Sequence, residues 1–515
     1  MIDPRTPVVV GVGQVNQRAA AGEARSPVQL FADAARLADG EAGGLLASTD
    51  TVATVLIGSW RYANASVAVA RELRIEPRST VVSSLGGNSP QLLLNEMAAD
   101  ILAGERDVVL VGGGEVLHGR RVARAAGVEL EFERNDDPPY STVIGTDKAG
   151  TNDVENAHRA SAPTQLYPLL ETALRGRARR TVDEHQHHIG RLWSHFAAVS
   201  ADNPYAWTQR AYTAAQIITP TPDNRMINFP YTKRMNANVH VDQAAAIIVT
   251  SYERARAAGV ADDALVFMHS GADANDHWFV SDRAWLGESV AMGLVARAAL
   301  DAAGIGVDDV ARFDLYSCFP SAVQLAMDSM GLPGPDGGDD RPLTVTGGLC
   351  FAGGPLNNYP THGVARMVEM LRADPGSFGL TTGLGWYATK HSCGAWSTRP
   401  PRVRFARVDP VAIQAIVDAT PSRRCLGAYS GDATVEATAV PVDRDGAPTL
   451  GVVVALTDAG DRVWANVADV DAMHSMMADA WENRRVTIRA GASANGEPDR
   501  GEPDRGEPNH VESIA

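Results

Sequence analysis

The parts of this chain equipped for chemistry are two glycine turns and a few reactive side chains near them. Residues 81–115 read VVSSLGGNSPQLLLNEMAADILAGERDVVLVGGGE. Residues 81–85 form an apolar run suited to a buried strand, and Gly86-Gly87-Asn88-Ser89-Pro90 is a turn that ends in an N-cap with proline in the first helical turn. Leu92, Leu93, Leu94, Met97, Ala98, Ile101 and Leu102 then recur at helical spacing up to Gly104, and a second apolar strand over 107–111 stops at three glycines. Gly86 and Gly87 would let a ligand approach the helix N-terminus, where free N–H groups and the positive dipole end suit a carbonyl oxygen, an oxyanion or a phosphate. A tight turn with no ligand is the alternative. From Thr346 the chain reads TGGLCFAGGPLNNYPTHGVARMVEMLRADPGSFGLTTGLGWY, again a glycine turn (Gly353-Gly354-Pro355), a helix over 361–372, a strand and a glycine cluster at Gly383 and Gly385. Such repetition implies internal duplication. Gly86, Gly87, Asn88, Gly353, Gly354 and Asn357 are therefore the candidate substrate-binding positions.

Four side chains could act at such turns. His362 lies just past the Gly354 turn at a helix start, and His391 sits in Thr389-Lys390-His391-Ser392-Cys393-Gly394; either could be a general base near neutral pH, or simply structural. Cys318 is a candidate nucleophile, with a buried unreactive thiol as the alternative. Tyr316 offers a hydroxyl that could donate to a carbonyl oxygen or pack in a core. His185 and His188 have i,i+3 spacing without an evident third ligand, so a solvated helix and no metal site are expected.

The chain has 515 residues, 45% apolar and 21% charged, which suits a globular protein of two or three domains. A formal charge of −16 argues against nucleic acid as a partner. The N-terminus runs straight into a strand, and neither a leader nor a membrane span is evident, so a cytoplasmic location without membrane insertion is expected. Four cysteines without metal spacing fit a reducing compartment. Lysine occurs three times, at Lys148, Lys233 and Lys390, among abundant arginine, as in a GC-rich bacterial genome. Strands over 7–12 and 52–57 flank a helix over 27–37, and helices are expected over 163–174, 184–200 and 203–215. A strand over 265–269 and a helix over 285–303 follow. After Pro400-Pro401 come short strands over 433–440, 449–456, 462–467 and 485–488 and a helix over 469–482, the order of a small β-barrel. The last residues, with GEPDRGEPDRGEPNH, are low in complexity and expected to be disordered.

Residues 81–115 resemble the nucleophile-bearing segment of thiolases, with Gly86 in the place of the reactive cysteine. Val241-Asp242-Gln243-Ala244-Ala245-Ala246 is similar to the D-G-A-A-A segment by which thiolases leave their loop domain, and Phe313-Asp314-Leu315-Tyr316-Ser317-Cys318-Phe319 resembles the L-H-D-C-F-S motif of sterol-carrier-protein thiolases, with Tyr316 in the place of the histidine. The family's G-H-P is Gly353-Gly354-Pro355 here, and no cysteine stands in the stretch matching C-x-G, so the usual covalent mechanism is not expected. The resemblance implies an α/β chain with a duplicated five-layer αβαβα fold: residues 1–115 and 239–258 as the first half, 116–238 as a helical loop domain, 259–408 as the second half, 421–490 as an oligonucleotide/oligosaccharide-binding-like (OB-like) barrel and 491–515 as tail. It also implies coenzyme A (CoA) or an acyl-CoA thioester as ligand, with no other cofactor, and lipid metabolism as the setting. Pairing through the third-strand edge makes a homodimer the default and a monomer the alternative. Two readings follow: an acetyl-CoA acetyltransferase-like acyltransferase using a nonstandard base such as His391, and a non-catalytic acyl-CoA or lipid binding or docking protein.

Overall fold

Two copies of one strand order build the larger part of the chain. In the computed structural model, which describes residues 2–491 and 507–514, the first half contributes β1 (Pro7–Asn16), β2 (Thr51–Thr54), β3 (Ser79–Ser83), β4 (Val108–Val116) and β5 (Asp242–Ser251). The second contributes β6 (Val266–Asn275), β7 (Val310–Asp314), β8 (Phe378–Gly385) and β9 (Lys390–Ser397). Their spatial order is 3-2-4-5-1 in the first half and 7-8-9-6 in the second, joined through β1 and β6. Each pairing in one half has the same sense in the other: β5 is antiparallel to β1 and β4 as β9 is to β6 and β8, and β2 is parallel to β4 as β7 is to β8. The backbone of residues 342–343 bonds to β7 where a counterpart of β3 would stand. β1, β4 and β5 read as nearly continuous apolar runs because both faces are covered.

Two helices form the central layer. The Ser89–Ala103 helix packs against strands of both halves, as does the Tyr359–Ala373 helix, and Leu93, Leu94, Ile101, Val364, Val368 and Leu371 are fully buried. Each fills its buried polar positions from the opposite half. Thr381 Oγ1 on β8 donates to Gln91 Oε1 at 2.7 Å, and Asn95 Nδ2 donates to the Cys393 carbonyl on β9 at 3.2 Å. Conversely Asn358 Nδ2 donates to the Gly113 carbonyl on β4 at 2.8 Å, and His362 Nδ1 meets Gln14 Oε1 on β1 at 2.9 Å. These cross-links make the two sheets and the central layer one unit, because releasing either partner would leave a buried polar group unpaired.

The loop region between β4 and β5 carries the Pro163–Ala178 and Val182–Asp202 helices. The helix expected over 203–215 does not form. Asn203-Pro204 breaks the pattern, Trp207 and Thr208 donate their N–H groups to the Ala352 and Phe351 carbonyls, and only Ala214–Ile218 is helical: tertiary pairing overrides local propensity. His185 is not solvated as expected but buried, its Nε2 2.6 Å from Glu171 Oε1. The Thr142–Ile144 strand lies parallel on the outer edge of β3.

The C-terminal region is a closed five-stranded barrel of Gly431–Pro441, Gly451–Thr457, Arg462–Val467, His510–Ile514 and Arg485–Arg489. His510–Ile514 falls within the tail expected to be disordered and corrects that expectation: it supplies the strand that closes the barrel, pairing Val486 with Ile514 and Arg489 with His510. Closure removes the free edges of the Arg462–Val467 and Arg485–Arg489 strands. Residues 492–506 of that expected tail lie outside the described residues. The barrel is docked by a buried ion pair, Arg175 Nη2 to Glu482 Oε1 at 2.8 Å, and by Arg462, which pairs inside the barrel with Glu436 Oε2 at 2.9 Å and donates from Nη1 to the Ser281 carbonyl at 2.9 Å. Removing one member strands a charge in a dry interface, so Arg175→Ala is expected to cost about 3–5 kcal/mol. Calorimetry should record a lower first unfolding transition, whereas an unchanged one would show that the pair does not hold the barrel in place.

Candidate functional site

The Gly86 turn sits where the sequence places it, at the N-terminus of the first central helix, but the space around it is filled by the protein's own side chains. Gly86 has φ 148°, a conformation that favours glycine, and a Cβ there would lie 2.5 Å from Asn88 Oδ1 and 3.4 Å from Lys390 Cδ. A Cβ on Gly87 would collide with the Tyr316 hydroxyl. One on Gly385 would meet Asn88 Oδ1 at 2.5 Å, and one on Gly353 would collide with the Gln243 amide. These glycines permit a close approach, as their pattern suggests, and the approaching groups belong to this chain.

The donor expected to face a ligand is likewise taken. The Gly86 N–H donates to Asn357 Oδ1 at 2.9 Å, and Asn357 Nδ2 donates to the Leu56 carbonyl at 2.9 Å. The neighbouring loop is fixed by Glu115, whose two oxygens accept from the Gly58 and Ser59 N–H groups at 2.7 Å each; burial pushes this carboxyl up to about 7. Asn357, expected as a substrate-binding position, thus reaches the Gly86 turn and caps its backbone, a pairing that no local spacing foretells.

Lys390 covers the same turn and is only 2% exposed. It follows a tight turn between β8 and β9 in which Trp386 and Ala388 adopt positive φ, held by Tyr167, whose hydroxyl donates to the Trp386 carbonyl at 2.9 Å. Its Nζ donates to the Leu85 and Thr146 carbonyls at 2.6 Å each, with the Trp278 and Trp386 rings 5.8 and 6.0 Å away. Burial lowers its pKa to about 8. Asp147 Oδ1 accepts from the Leu85 N–H at 3.3 Å, and Gly150 packs on the Trp386 ring, so residues 145–151 form a cover over the turn. The role of Lys390 was not anticipated; its rarity was a signal, because one of three lysines stands on a strand of the duplicated core.

The four expected reactive side chains do not form a constellation. Tyr316 is 8% exposed, packs edge-on against Tyr359 and abuts Gly87, and burial raises its phenol well above the ordinary range. His391 lies across β9 from Lys390, its Nε2 3.0 Å from the Ala388 carbonyl and 3.3 Å from Ser289 Oγ, which donates to Asp276 Oδ2 at 2.6 Å. Burial lowers it to about 4, so it is neutral and occupied by structural bonds. Tyr316, His391 and Cys393 border a cavity of only about 10 Å³, about the volume of one water-sized probe sphere. His362 points to β1 and Gln14, lowered to about 3 by burial. Cys318 is buried, and that burial pushes its thiol up to about 12, the reverse of activation.

An open cavity of about 520 Å³ lies instead between the first half and the loop region. Arg18, His118, Arg121, Lys233, Arg234 and His240 line it, with Asp223 as the one acid among the described residues of its wall. The Arg18 guanidinium lies 3.8 Å over the Trp207 ring, and Cys350 and Asn238 form the inner wall. The Asn238 carbonyl accepts from the Gly354 N–H at 2.9 Å, so this cavity ends beside the second glycine turn. Burial lowers both His118 and His240, and Arg121 opposes their protonation as well. The wall is strongly cationic at neutral pH and becomes more so in acid. Its residues are spread over distant segments, and only Lys233-Arg234 is a local signal.

If self-filling closes the Gly86 turn, restoring a cysteine there will not restore chemistry. Gly86→Cys is expected to show no acyl-enzyme by mass spectrometry after incubation with acetyl-CoA. It should also lose about 1–3 kcal/mol of stability from strain at its positive φ and contact with Asn88. A stable variant that becomes acylated would show that the turn is open.

A family model described as "Thiolase-like protein type 1 additional C-terminal domain" matches residues 412–492. The crystal structure of a monomeric SCP2-thiolase-like protein type 1 from Mycobacterium smegmatis superposes with a TM-score of 0.83 at 32% identity, covering 99% of each chain. A structure named as an Ltp2-ChsH2(DUF35) aldolase matches at TM-score 0.59 and 18% identity over 77% of this chain and 99% of that one. The dimeric peroxisomal thiolase of Saccharomyces cerevisiae matches at TM-score 0.54 and 12% identity over 78% of this chain and 99% of that one, a likeness of fold. No match was found among curated proteins.

Proposed function

This chain belongs to the SCP2-thiolase-like protein type 1 family, and from that membership we propose that it is a non-catalytic binding protein for CoA or an acyl-CoA thioester. The observation that carries the reading is the contrast between its two sites. The Gly86 turn has its N–H group capped by Asn357 and its approach filled by Tyr316 and Lys390, while the cationic cavity beside Asn238 stays open. A polyphosphate with an aromatic base and an extended arm matches a deep cleft with several Arg and Lys side chains, a tryptophan and polar walls. The acyltransferase alternative needs a base near the thioester. His391 is buried in structural hydrogen bonds, His362 is buried with its Nδ1 against Gln14 and lowered to about 3 by that burial, and Cys318 is held as a thiol.

Calorimetric titration with CoA is expected to show binding that weakens with added salt. Arg234→Glu should lower the affinity roughly tenfold, the size of one lost charge-assisted contact with reversal of its charge. Because the folded-state pKa values of His118 and His240 lie below the ordinary 6.5, these groups gain charge only in acid, so affinity should rise as pH falls below that value. Absence of binding would refute the proposal. Release of CoA from acetyl-CoA with acylation of the protein would favour the acyltransferase reading instead.

The protein is further proposed to be a monomer, because Thr142–Ile144 occupies the outer edge of β3, the edge through which thiolases pair. Light scattering after size exclusion should give one chain mass. A dimer that persists on dilution would contradict this.

A further inference from the structure

A second cavity, of about 340 Å³, opens between the barrel and the second half, remote in composition from the cationic cleft. Most of its lining surface is apolar: Ala173, Leu286, Val435 and Leu456 contribute to it, with the Trp285 indole, 53% exposed, also in the lining. An indole so exposed is an uncommon surface feature, and one in the wall of an apolar cavity is poised to cover a ligand. Two of its three carboxylates sit in buried ion pairs. Glu482 is held by Arg175 and Glu436 by Arg462, both in buried pairs, and Glu436 Oε1 also accepts from the Leu286 N–H at 3.1 Å. The third, Glu288, is exposed and lies 3.8 Å from Arg177 Nη1. Arg177 Nη1 donates to the Gly287 carbonyl at 2.9 Å and the Asn483 N–H to the Val435 carbonyl at 2.8 Å, so the cavity is preformed by bonds from both sides of the junction.

We propose that this junction is a binding site for a small, neutral, largely apolar molecule, closed on one side by Trp285. The charge pairing selects the class: each of the three carboxylates in the lining already faces an arginine, Arg175, Arg462 or Arg177, so an ionic ligand of either sign would have to break an existing pair. The volume falls within the range of small-molecule sites, which favour domain junctions. The site is independent of the CoA reading, since none of its residues lines the cationic cavity.

The test is a titration of the full chain with the neutral fluorophore N-phenylnaphthylamine, following its emission and the quenching of tryptophan. Wild type should give saturable binding. Trp285→Ala, which removes an exposed side chain, and Leu456→Trp, which fills the cavity, should each weaken it roughly tenfold or more, in line with the loss of one buried apolar contact. Arg234→Glu, in the other cavity, should leave it unchanged. Non-saturable binding to wild type, or equal affinity in Trp285→Ala, would overturn the proposal. Should Leu456→Trp fail to fold, Trp285→Ala decides.

Discussion

Two helix N-termini buried in one central layer impose the constraint on which the rest of this structure depends. Each brings unpaired N–H groups and a positive dipole end into a space without bulk water. A protein that keeps this architecture must supply acceptors from a ligand or from itself. This chain supplies its own: Asn357, just before the second helix, accepts from Gly86 at the first. Polar side chains at each helix also bond to the opposite half, Gln91 to Thr381 and Asn358 to the Gly113 carbonyl. The duplicated halves are locked by the same groups that close the turn.

Lys390 shows how far this self-satisfaction goes. A cation beside a helix N-terminus is opposed by the dipole, and burial lowers its pKa to about 8. It persists because the Leu85 and Thr146 carbonyls accept from it and two indole rings lie near it. In doing so it ties the glycine turn to the covering residues 145–151. With this centre closed, the open cationic cleft is the place proposed for an anionic ligand.

Much of this plan was legible in local patterns. The glycine turns, helical spacings and alternating strands of residues 81–115 and 346–387 report their own conformation, and the repetition reports the duplication. The barrel strands up to residue 488 were legible for the same reason. What escaped was non-local. Asn357 and Gly86 are separated by 271 positions, so neither spacing nor periodicity links them, and a close-approach glycine does not say which group approaches. The helix expected over 203–215 lost to pairing with Phe351 and Ala352. His510–Ile514, beside a low-complexity stretch, becomes a strand only because the barrel offers it two edges.

The central claim is that the Gly86 turn is closed by the protein itself while the cationic cleft binds ligand. Hydrogen–deuterium exchange, with and without saturating CoA, tests it most directly. The account predicts that residues 85–88 are protected in the free protein and unchanged by CoA, while residues 233–240 gain protection. Rapid exchange at 85–88 in the free protein, or protection there that appears only with CoA, would contradict it.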